Sequence, residues 1–470
     1  MTFIRELMST NVLSVEVSEQ KTDFHKNLEQ RALKGTSYVV LAYGLATGLR
    51  LISSMVLSRL FAPAYFGLMA LTTTIIVGLY LVSHLGLEDG VIQHANGEQS
   101  NFLFTAWTLQ VIRGALLFLI TIPLAFPVAA FYHERLLISL LPMLGFTCIV
   151  GAFSSPSLLL LARQMGVARV SFLELLTALV QFAVTAIWAL IHADIWALVG
   201  GKLVSEIVRT AVSYYIAPTT RPRFILEPEA FSYLIRFGRW ILLSTGLTFF
   251  ALQSDRLILG KLISWQMLGV YGIAYTLSDV PRQVISQFSS RVGYPFIARF
   301  SGLPRPEFRS VLMRYRGYVL ALGALALTVV ITTGDRFIFH VYDKRYHQAA
   351  WMVVILGCGL WHTLISATMT PVLLSIQKAY YHTIAMALYC LTLFICLPLG
   401  FHLFGILGAV VAVAISDFPV YVVSSFALAR EKISLIRQDM QLTLLFLVLL
   451  SIALLLRYSI GLPTPFHAIP

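Results

Sequence analysis

Long apolar runs, separated by short polar connections, follow one another from residue 37 to residue 460. Most are about 20 to 25 residues long, the length that a helix needs to cross a hydrocarbon core about 30 Å thick. Lipid offers the backbone no hydrogen-bond partners, so each run is predicted to be an α-helix. The pattern predicts thirteen membrane spans, at residues 37–60, 65–87, 104–131, 136–158, 171–192, 195–217, 238–262, 267–298, 312–333, 350–376, 381–402, 405–429 and 440–460.

The second half of the chain repeats features of the first half, and corresponding residues lie between 202 and 215 positions apart. The matches are Arg59 with Lys261, Gly67 with Gly269, Arg113 with Arg316, Ser155-Pro156 with Thr370-Pro371, and Glu206 with Asp417. Six spans return a chain to the side on which it began, so the two halves are predicted to share one orientation about an axis along the membrane normal. The halves differ where Ser53-Ser54 in the first corresponds to Asp255-Arg256 in the second.

The fold class predicted from this pattern is an all-α polytopic membrane protein with two six-helix lobes in parallel repeat and one extra C-terminal helix. The predicted parts are a cytoplasmic tail (1–35), an N-lobe (36–217), a cytoplasmic linker (218–237), a C-lobe (238–430) and the extra helix with its tail (431–470).

Composition agrees with a membrane protein, since only 12% of the residues are charged and the mean hydropathy is +0.81, whereas soluble proteins carry about 25% charged residues. The net charge of +12 is explained by the excess of Arg and Lys in cytoplasmic connections, and no nucleic-acid partner is expected. The same bias places the N-terminus in the cytoplasm. The first 35 residues contain no apolar core, so no cleavable signal peptide is expected.

No pattern of a catalytic or cofactor site is present in the sequence. It contains no HExxH, GxSxG or Walker A motif. The four cysteines lie in apolar runs without CxxC spacing, which indicates small buried apolar residues rather than a disulfide or metal site. The histidines, His362 among them, lack ligand spacing and are interpreted as core or interfacial residues. We therefore expect no metal, no cofactor and no enzymatic activity.

Charged residues inside the predicted spans are the strongest functional signal. Each costs about 2.5–3.5 kcal/mol at the centre of a lipid-facing helix, so they are expected to face a polar interior or one another. The candidates for lining a substrate cavity are Arg50, Arg113, Lys202, Arg209, Asp255, Arg256 and Arg282. The candidates for binding a coupling ion are Glu174, Glu206, Asp255, Asp279 and Asp417.

Two of these groups have a structural alternative. Lys202, Glu206 and Arg209 are spaced on one helical stripe, which could line a cavity or simply neutralise itself and hold the bundle together. Asp255 and Arg256 are adjacent and point about 100° apart around a helix. They therefore need not pair with each other, and one could face the cavity while the other has a partner in a neighbouring span. A cavity in which cations outnumber acids suits an anionic substrate such as a pyrophosphate.

Short stretches at the start of each half resemble a known transporter family. The run 57–71 begins Leu57-Ser-Arg-Leu-Phe-Ala-Pro and is followed by Gly86-Leu-Glu-Asp-Gly-Val-Ile-Gln93; the second half has Ser254-Asp-Arg-Leu-Ile-Leu-Gly-Lys-Leu262. They resemble the polysaccharide-transporter branch of the MOP superfamily, whose Wzx-type members flip undecaprenyl-pyrophosphate-linked oligosaccharides across the bacterial inner membrane. The resemblance implies two lobes around a central cavity that opens alternately to each side. It also implies the lipid-linked oligosaccharide, membrane lipids and a polysaccharide polymerase as partners.

Three functions are compatible with the sequence. The favoured one is an oligosaccharide flippase for exopolysaccharide, capsule or O-antigen assembly. A cation-coupled multidrug exporter of the same fold would require a cavity dominated by acids. A membrane polymerase or ligase would require a large external loop, and the longest such connection, residues 334–349, is short.

Overall fold

The computed structural model describes residues 44–94, 96–163, 167–216 and 222–468, and these residues are helical almost throughout, with no strand among them. In the first half the helices are α1 (44–60), α2 (Pro63–Val82), α3 (Leu87–Gln93), α4 (Ser100–Tyr132), α5 (Leu137–Ala152), α6 (Ser157–Arg163), α7 (Val167–Ile191) and α8 (Ile195–Ile216). The predicted tail 1–35, the start of the first span and part of the linker lie outside the described residues.

In the second half the helices are α9 (Pro228–Leu262), α10 (Trp265–Ser278), α11 (Val280–Phe288), α12 (Tyr294–Phe300), α13 (Arg305–Val341), α14 (Ala349–Ser375), α15 (Ala379–Ile415), α16 (Phe418–Arg430) and α17 (Ile436–Ser459). A π-helical turn, Ser289–Gly293, joins α11 to α12. Helix α9 begins at Pro228, ten residues before the predicted seventh span, so it includes residues assigned to the linker. Proline is favoured in the first turn of a helix because its missing N–H would have no partner there.

Seven stretches of the described helices have the length and apolar composition of membrane spans. They are Pro63–Gln93, Ser100–Tyr132, Arg169–Ile191, Arg305–Val341, Ala349–Ser375, Ala379–Arg430 and Ile436–Ser459. Helix α5 is apolar but shorter, and helices such as α8 and α9 carry several charges. The prediction of an all-α, multi-pass membrane protein is confirmed.

Two predicted spans are interrupted well inside their bounds, and the span 136–158 extends past the end of α5 at Ala152 into α6. The span 267–298 is divided among α10, α11 and α12, and the span 405–429 is interrupted at Ser416-Asp417. In each case a proline follows the break, Pro281 in α11 and Pro419 in α16. Proline removes one intrahelical hydrogen bond and clashes with the preceding turn, so the helix does not continue smoothly through it.

Helix α15 contains a sharp turn where the eleventh and twelfth spans were predicted to meet. Phe404 and Gly405 have non-helical backbone angles, and Gly405 has a φ of 60°. Gly400 and Gly408 lie against each other's backbone on the two sides of this turn. The two arms of α15 therefore pack closely as a helical hairpin.

The two halves pack together at the end of the molecule that we call the closed end, and α9 also contacts the first half toward the opposite end, where Gly238 lies against Leu85 and Ile241 against Gly86. The closed end carries the connections 61–62, 133–136, 263–264 and 342–348. An apolar cluster beneath it combines Leu71 and Leu140 of the first half with Leu268 and Ile338 of the second, all of them fully or almost fully buried. The connections at the opposite end, such as 153–156, 301–304, 376–378 and 431–435, form what we call the linker end.

Helix α17, the predicted extra C-terminal helix, is held to α13 by two buried ion pairs. Arg316 is completely buried, and its Nη2 donates to Oδ1 of Asp439 at 2.8 Å. Nearer the closed end, Arg457 donates through Nη1 to Oδ1 of Asp335 at 2.7 Å and through Nη2 to Oδ2 at 2.5 Å. A buried charge without a partner would be strongly destabilising, so these pairs fix α17 in place.

Candidate functional site

The second half contains a cavity of about 410 Å³ between α9 to α12 on one side and α14 to α16 on the other, with a mostly apolar lining that includes several polar side chains. It runs from Tyr275 and Asp417, at mid-length of the bundle, to Tyr294, Leu374 and His382 near the linker end. Its polar lining includes the hydroxyl side chains of Ser278, Ser286, Ser289, Ser290, Thr363, Ser366 and Thr370. Three of the predicted charged residues, Asp279, Arg282 and Asp417, also line it. Acids therefore outnumber Arg and Lys in this cavity, contrary to the expectation from the sequence.

Both acids of the cavity occupy the helix breaks described above, and each precedes a proline by two residues. Asp279 lies between α10 and α11 in Asp-Val-Pro281, and Asp417 lies between α15 and α16 in Asp-Phe-Pro419. Asp417 has non-helical backbone angles, and side chains of another helix approach it, whereas Asp279 keeps helical angles at the junction of α10 and α11 and is bound by side chains of the following turn. In transporters such interruptions are typical of binding sites near the midplane.

Asp279 is almost fully buried and forms an ion pair with Arg282 one turn later. Arg282 Nη2 donates to Asp279 Oδ2 at 2.8 Å, its Nε donates to Oδ1, and Gln283 Nε2 donates to Oδ2 at 2.9 Å. The two parallel N–H···O bonds fix the plane of the guanidinium group. Its remaining N–H donors are available to the cavity.

Asp417 is bound by two side chains of α14. Its Oδ1 is hydrogen-bonded to His362 Nε2, and its Oδ2 accepts from the Thr363 hydroxyl. About four-fifths of each of the two ionisable side chains is covered, the exposed fractions being 16% for His362 and 20% for Asp417. The carboxylate and the imidazole are thus in direct hydrogen-bond contact at the wall of the cavity.

Asp255 and Arg256 have different partners, and both lie next to the cavity. Asp255, 4% exposed, accepts a hydrogen bond of 2.6 Å from the Tyr271 hydroxyl through Oδ2. The Arg256 guanidinium lies 5.6 Å from the centre of the ring of Tyr275, which itself lines the cavity. Its Nη1 also donates to Gln253 Oε1 at 3.3 Å.

In the first half, four predicted residues form a second charged group on α4 and α8. Arg113, Lys202 and Glu206 all lie within electrostatic reach of Cys148 on α5, and Arg209 Nη1 is 3.7 Å from Glu206 Oε1. The pairing of Glu206 with Arg209 agrees with the self-neutralising alternative for that part of the stripe. Lys202 has no ion-pair partner in the described part of the chain, which leaves its charge available.

Arg113 also stacks on an aromatic ring. Its guanidinium carbon is 4.1 Å from the centre of the Tyr80 ring, and its Nη2 donates to the Tyr80 carbonyl oxygen at 3.4 Å. Of the other predicted residues, Arg50 and Glu174 are exposed on helices α1 and α7, and the structure does not bring them to either group. Cys358 is exposed rather than buried, contrary to the interpretation of the cysteines above.

Sequence reasoning missed the partners of Asp417. His362 was interpreted as a core or interfacial histidine and Thr363 was not considered. The Asp-x-Pro pattern in the middle of an apolar run was the available signal for the cavity acids, but nothing local points to a histidine 55 residues away. Within the described ranges, no three His, Cys, Asp or Glu side chains cluster as a metal site would require.

A family model described as polysaccharide biosynthesis protein matches residues 56–350, which is more than half of the chain. The chain belongs to this family. The matched region contains all of the first-half charged group and, in the second half, Asp255, Arg256, Asp279 and Arg282.

Three relatives are similar to this chain over part of their length. The lipopolysaccharide biosynthesis protein WzxC of Escherichia coli is 20% identical over 327 residues, which are 68% of this chain and 65% of the relative. The teichuronic acid biosynthesis protein TuaB of Bacillus subtilis is 22% identical over 68% of this chain and 67% of its own. The succinoglycan biosynthesis transport protein ExoT of Rhizobium meliloti is 26% identical over 270 residues, which are 56% of this chain and 53% of the relative. The chain thus matches about half to two thirds of the length of these relatives.

Solved structures with the same fold extend further along the chain. The lipid II flippase MurJ in an inward closed conformation superposes with a TM-score of 0.71 at 13% identity, over 88% of this chain and 91% of MurJ. An inward-facing multidrug resistance MATE family transporter of the MOP superfamily gives a TM-score of 0.64 at 14% identity. The superposition covers 86% of this chain and 98% of the transporter. The predicted MOP-type fold is therefore confirmed.

Proposed function

We propose that this protein moves a lipid-linked oligosaccharide across the bacterial inner membrane by alternating access. The observation that carries the proposal is the cavity of the second half, which combines a guanidinium group with many hydroxyl groups at mid-length of a membrane-spanning bundle. Membership of the polysaccharide biosynthesis family supports it. So do the names of the relatives, which refer to polysaccharide biosynthesis and, for ExoT, to transport.

The side chains of the cavity suit the two polar parts of such a substrate. Arg282 is held in plane by Asp279 and can present its free N–H donors to a phosphate oxygen. The serine and threonine hydroxyls can exchange hydrogen bonds with sugar hydroxyl groups. The polyprenyl chain needs no polar site because it can remain in the lipid.

The charged group of the first half supplies a second contact for an anionic headgroup. Lys202 lacks an ion-pair partner among the described residues, and Arg113 is held by Tyr80. Arg209 forms an ion pair with Glu206. We assign Arg113 and Lys202 to the pyrophosphate and leave Glu206 as a neutralising residue.

The orientation and coupling are part of the proposal. The excess of Arg and Lys at the linker end, where Arg299, Arg305, Lys378 and Arg430 lie, supports a cytoplasmic linker end and N-terminus. Asp417 with His362, and Asp279, are the proposed sites for a coupling proton or cation. A polymerase that accepts the flipped saccharide is the expected partner at the opposite face.

The test is dithionite bleaching of proteoliposomes that contain undecaprenyl-pyrophosphate-linked saccharide with a fluorescent nitrobenzoxadiazole label. Arg282→Gln and Lys202→Gln are expected to slow the movement of label between leaflets by at least about tenfold, the effect of losing one charge-assisted contact. Arg135→Gln is the control, because Arg135 is exposed and its side chain has no hydrogen bond or ion pair among the described residues. Rates equal to those of the unmodified protein in both cavity variants would contradict the proposal.

A second candidate is a cation-coupled drug exporter. Asp279 and Asp417 in one cavity, together with the MATE-like fold, favour it. A drug-susceptibility panel on a strain lacking the protein separates the two functions, since only the exporter is expected to change resistance without altering surface polysaccharide.

A further inference from the structure

Two basic side chains cross between the halves at the closed end. Arg59, in the last turn of α1, donates through Nη2 to the carbonyl oxygen of Val341 at 3.2 Å. Lys261, in the last turn of α9, donates through Nζ to the carbonyl oxygen of Phe131. Val341 is the last residue of α13, and Phe131 lies one residue before the end of α4.

These contacts are related by the internal repeat. Arg59 and Lys261 correspond at a shift of 202, and α4 corresponds to α13. The last four carbonyl groups of a helix have no partner within it and carry partial negative charge, which a cation stabilises. Each half therefore contributes a cation that caps a helix of the other half.

A tyrosine beside each capped carbonyl repeats the same relationship. The Tyr132 hydroxyl donates to the Leu257 carbonyl oxygen on α9 at 3.1 Å, and the Tyr342 hydroxyl is 2.8 Å from Ser54 Oγ on α1. The segments that carry them, Phe131-Tyr-His-Glu-Arg135 and Val341-Tyr-Asp-Lys-Arg345, match at a shift of 210. The closed end is thus built from two copies of one crossed contact.

Only one copy has a further contact from its arginine. Arg345 Nη2 donates to the carbonyl oxygens of Ser58 and Arg59 at 3.5 and 3.3 Å, and its Nε donates to Asp343 at 2.8 Å. Its repeat counterpart Arg135 is exposed and has no such contact among the described residues. The two sides of the closed end are therefore unequal in strength.

We propose that the crossed caps formed by Arg59 and Lys261 are a latch that keeps the closed end shut and must release before a path opens there. Both cations are exposed, so water can replace the broken bonds and the latch can open reversibly. The reinforced side, with Arg345, is the last to separate. The inference goes beyond the proposed function because it concerns which end is open, whatever the substrate.

The latch is tested by measuring a distance across the closed end by double electron–electron resonance in lipid nanodiscs without substrate. Spin labels are placed at Ser139→Cys on α5 and Gln348→Cys before α14, both exposed, with the four native cysteines replaced by alanine. Arg59→Gln and Lys261→Gln are each expected to raise the ratio of long to short distances by about two- to fivefold, the range for a cation at a helix C-terminus. The double variant should raise it more than either.

Arg135→Gln is the matched control and should leave the distances unchanged, whereas Arg345→Gln should lengthen them. Arg59→Lys retains a cation and should restore the short distance, which separates release of the latch from unfolding. Identical distance distributions in the Arg59→Gln/Lys261→Gln double variant and in the unmodified protein would overturn the inference. The measurement needs no transport, so its outcome does not depend on the proposed function.

Discussion

Gly67 on α2 and Gly269 on α10 lie in direct backbone contact at the boundary between the halves. A Cβ atom at Gly67 would collide with the Trp265 carbonyl oxygen, and one at Gly269 would collide with the Pro63 carbonyl oxygen. The two glycines correspond in the internal repeat, so the axis that relates the halves passes between them. Small residues allow such close approach of helices in membranes.

Replacing either glycine with valine is expected to force α2 and α10 apart. The obstacle is backbone rather than a flexible side chain, so a destabilisation of about 1–3 kcal/mol or more is expected. Thermal unfolding in detergent measures it. Gly272→Ala on the same helix is the control, because its added Cβ would meet open space. Equal melting temperatures for Gly269→Val and Gly272→Ala would show that the contact is unimportant.

The buried pair Arg316 and Asp439 predicts a large effect from removing either partner. Asp439→Ala leaves a completely buried guanidinium group unpaired and should cost about 3–5 kcal/mol, whereas Arg316→Met with Asp439→Leu should recover much of the loss. The half-buried pair of Arg305 with Glu431, 3.6 Å apart, supplies the control, because Glu431 keeps Lys378 as a partner and Arg305→Ala should cost no more than about 1 kcal/mol. Thermal unfolding measures both losses of stability, and the loss from Asp439→Ala should be several times the loss from Arg305→Ala.

Much of the helical fold could be predicted because the bilayer fixes the length of each apolar run. The extra helix α17 and the equivalence of Arg59 with Lys261 were visible in the sequence for the same reason, since position along a run and repeat spacing are local properties. The breaks at Asp279 and Asp417 were missed because average hydropathy over 20 residues is insensitive to one interrupted turn. A proline two residues after an acid was the local sign of each.

Tertiary pairing could not be predicted from the pattern. Asp335 and Arg457 lie near the ends of apolar runs, where charges normally face water, yet the pair is buried. The partners of Asp417 and Arg316 are 55 and 123 residues distant, and only packing brings them together. Arg50 and Glu174 were predicted as site residues because they are charges within apolar runs, but such charges can also lie at an exposed position.

Asp417→Asn tests the proposed coupling role of the His362 pair. The amide keeps a carbonyl oxygen for the Thr363 hydroxyl but removes the charge, so folding should be retained while transport falls by at least about tenfold. The labelled-lipid assay across a pH series measures it, and the pH dependence of the remaining rate should be weaker. Glu307→Gln, an exposed acid of α13 outside the cavity, is the control. An Asp417→Asn rate and pH profile equal to those of the control would exclude the coupling role.

The sharp turn in α15 predicts that the stability of variants at Gly405 depends on the backbone conformation of this residue and not on the space around it. Its φ of 60° and ψ of −142° lie close to a region of backbone conformation that is essentially restricted to glycine. No atom lies within 4 Å of a Cβ built there, so a substitution meets strain but no collision. Gly405→Ala should cost about 1–3 kcal/mol, the penalty of that region for a residue with a Cβ. Gly405→Asn should cost about as much, because asparagine tolerates the left-handed helical region, where ψ is near about +45°, but not this one. Thermal unfolding in detergent measures both losses. If the asparagine and alanine variants unfold at the same temperature as the unmodified protein, the turn does not require these angles.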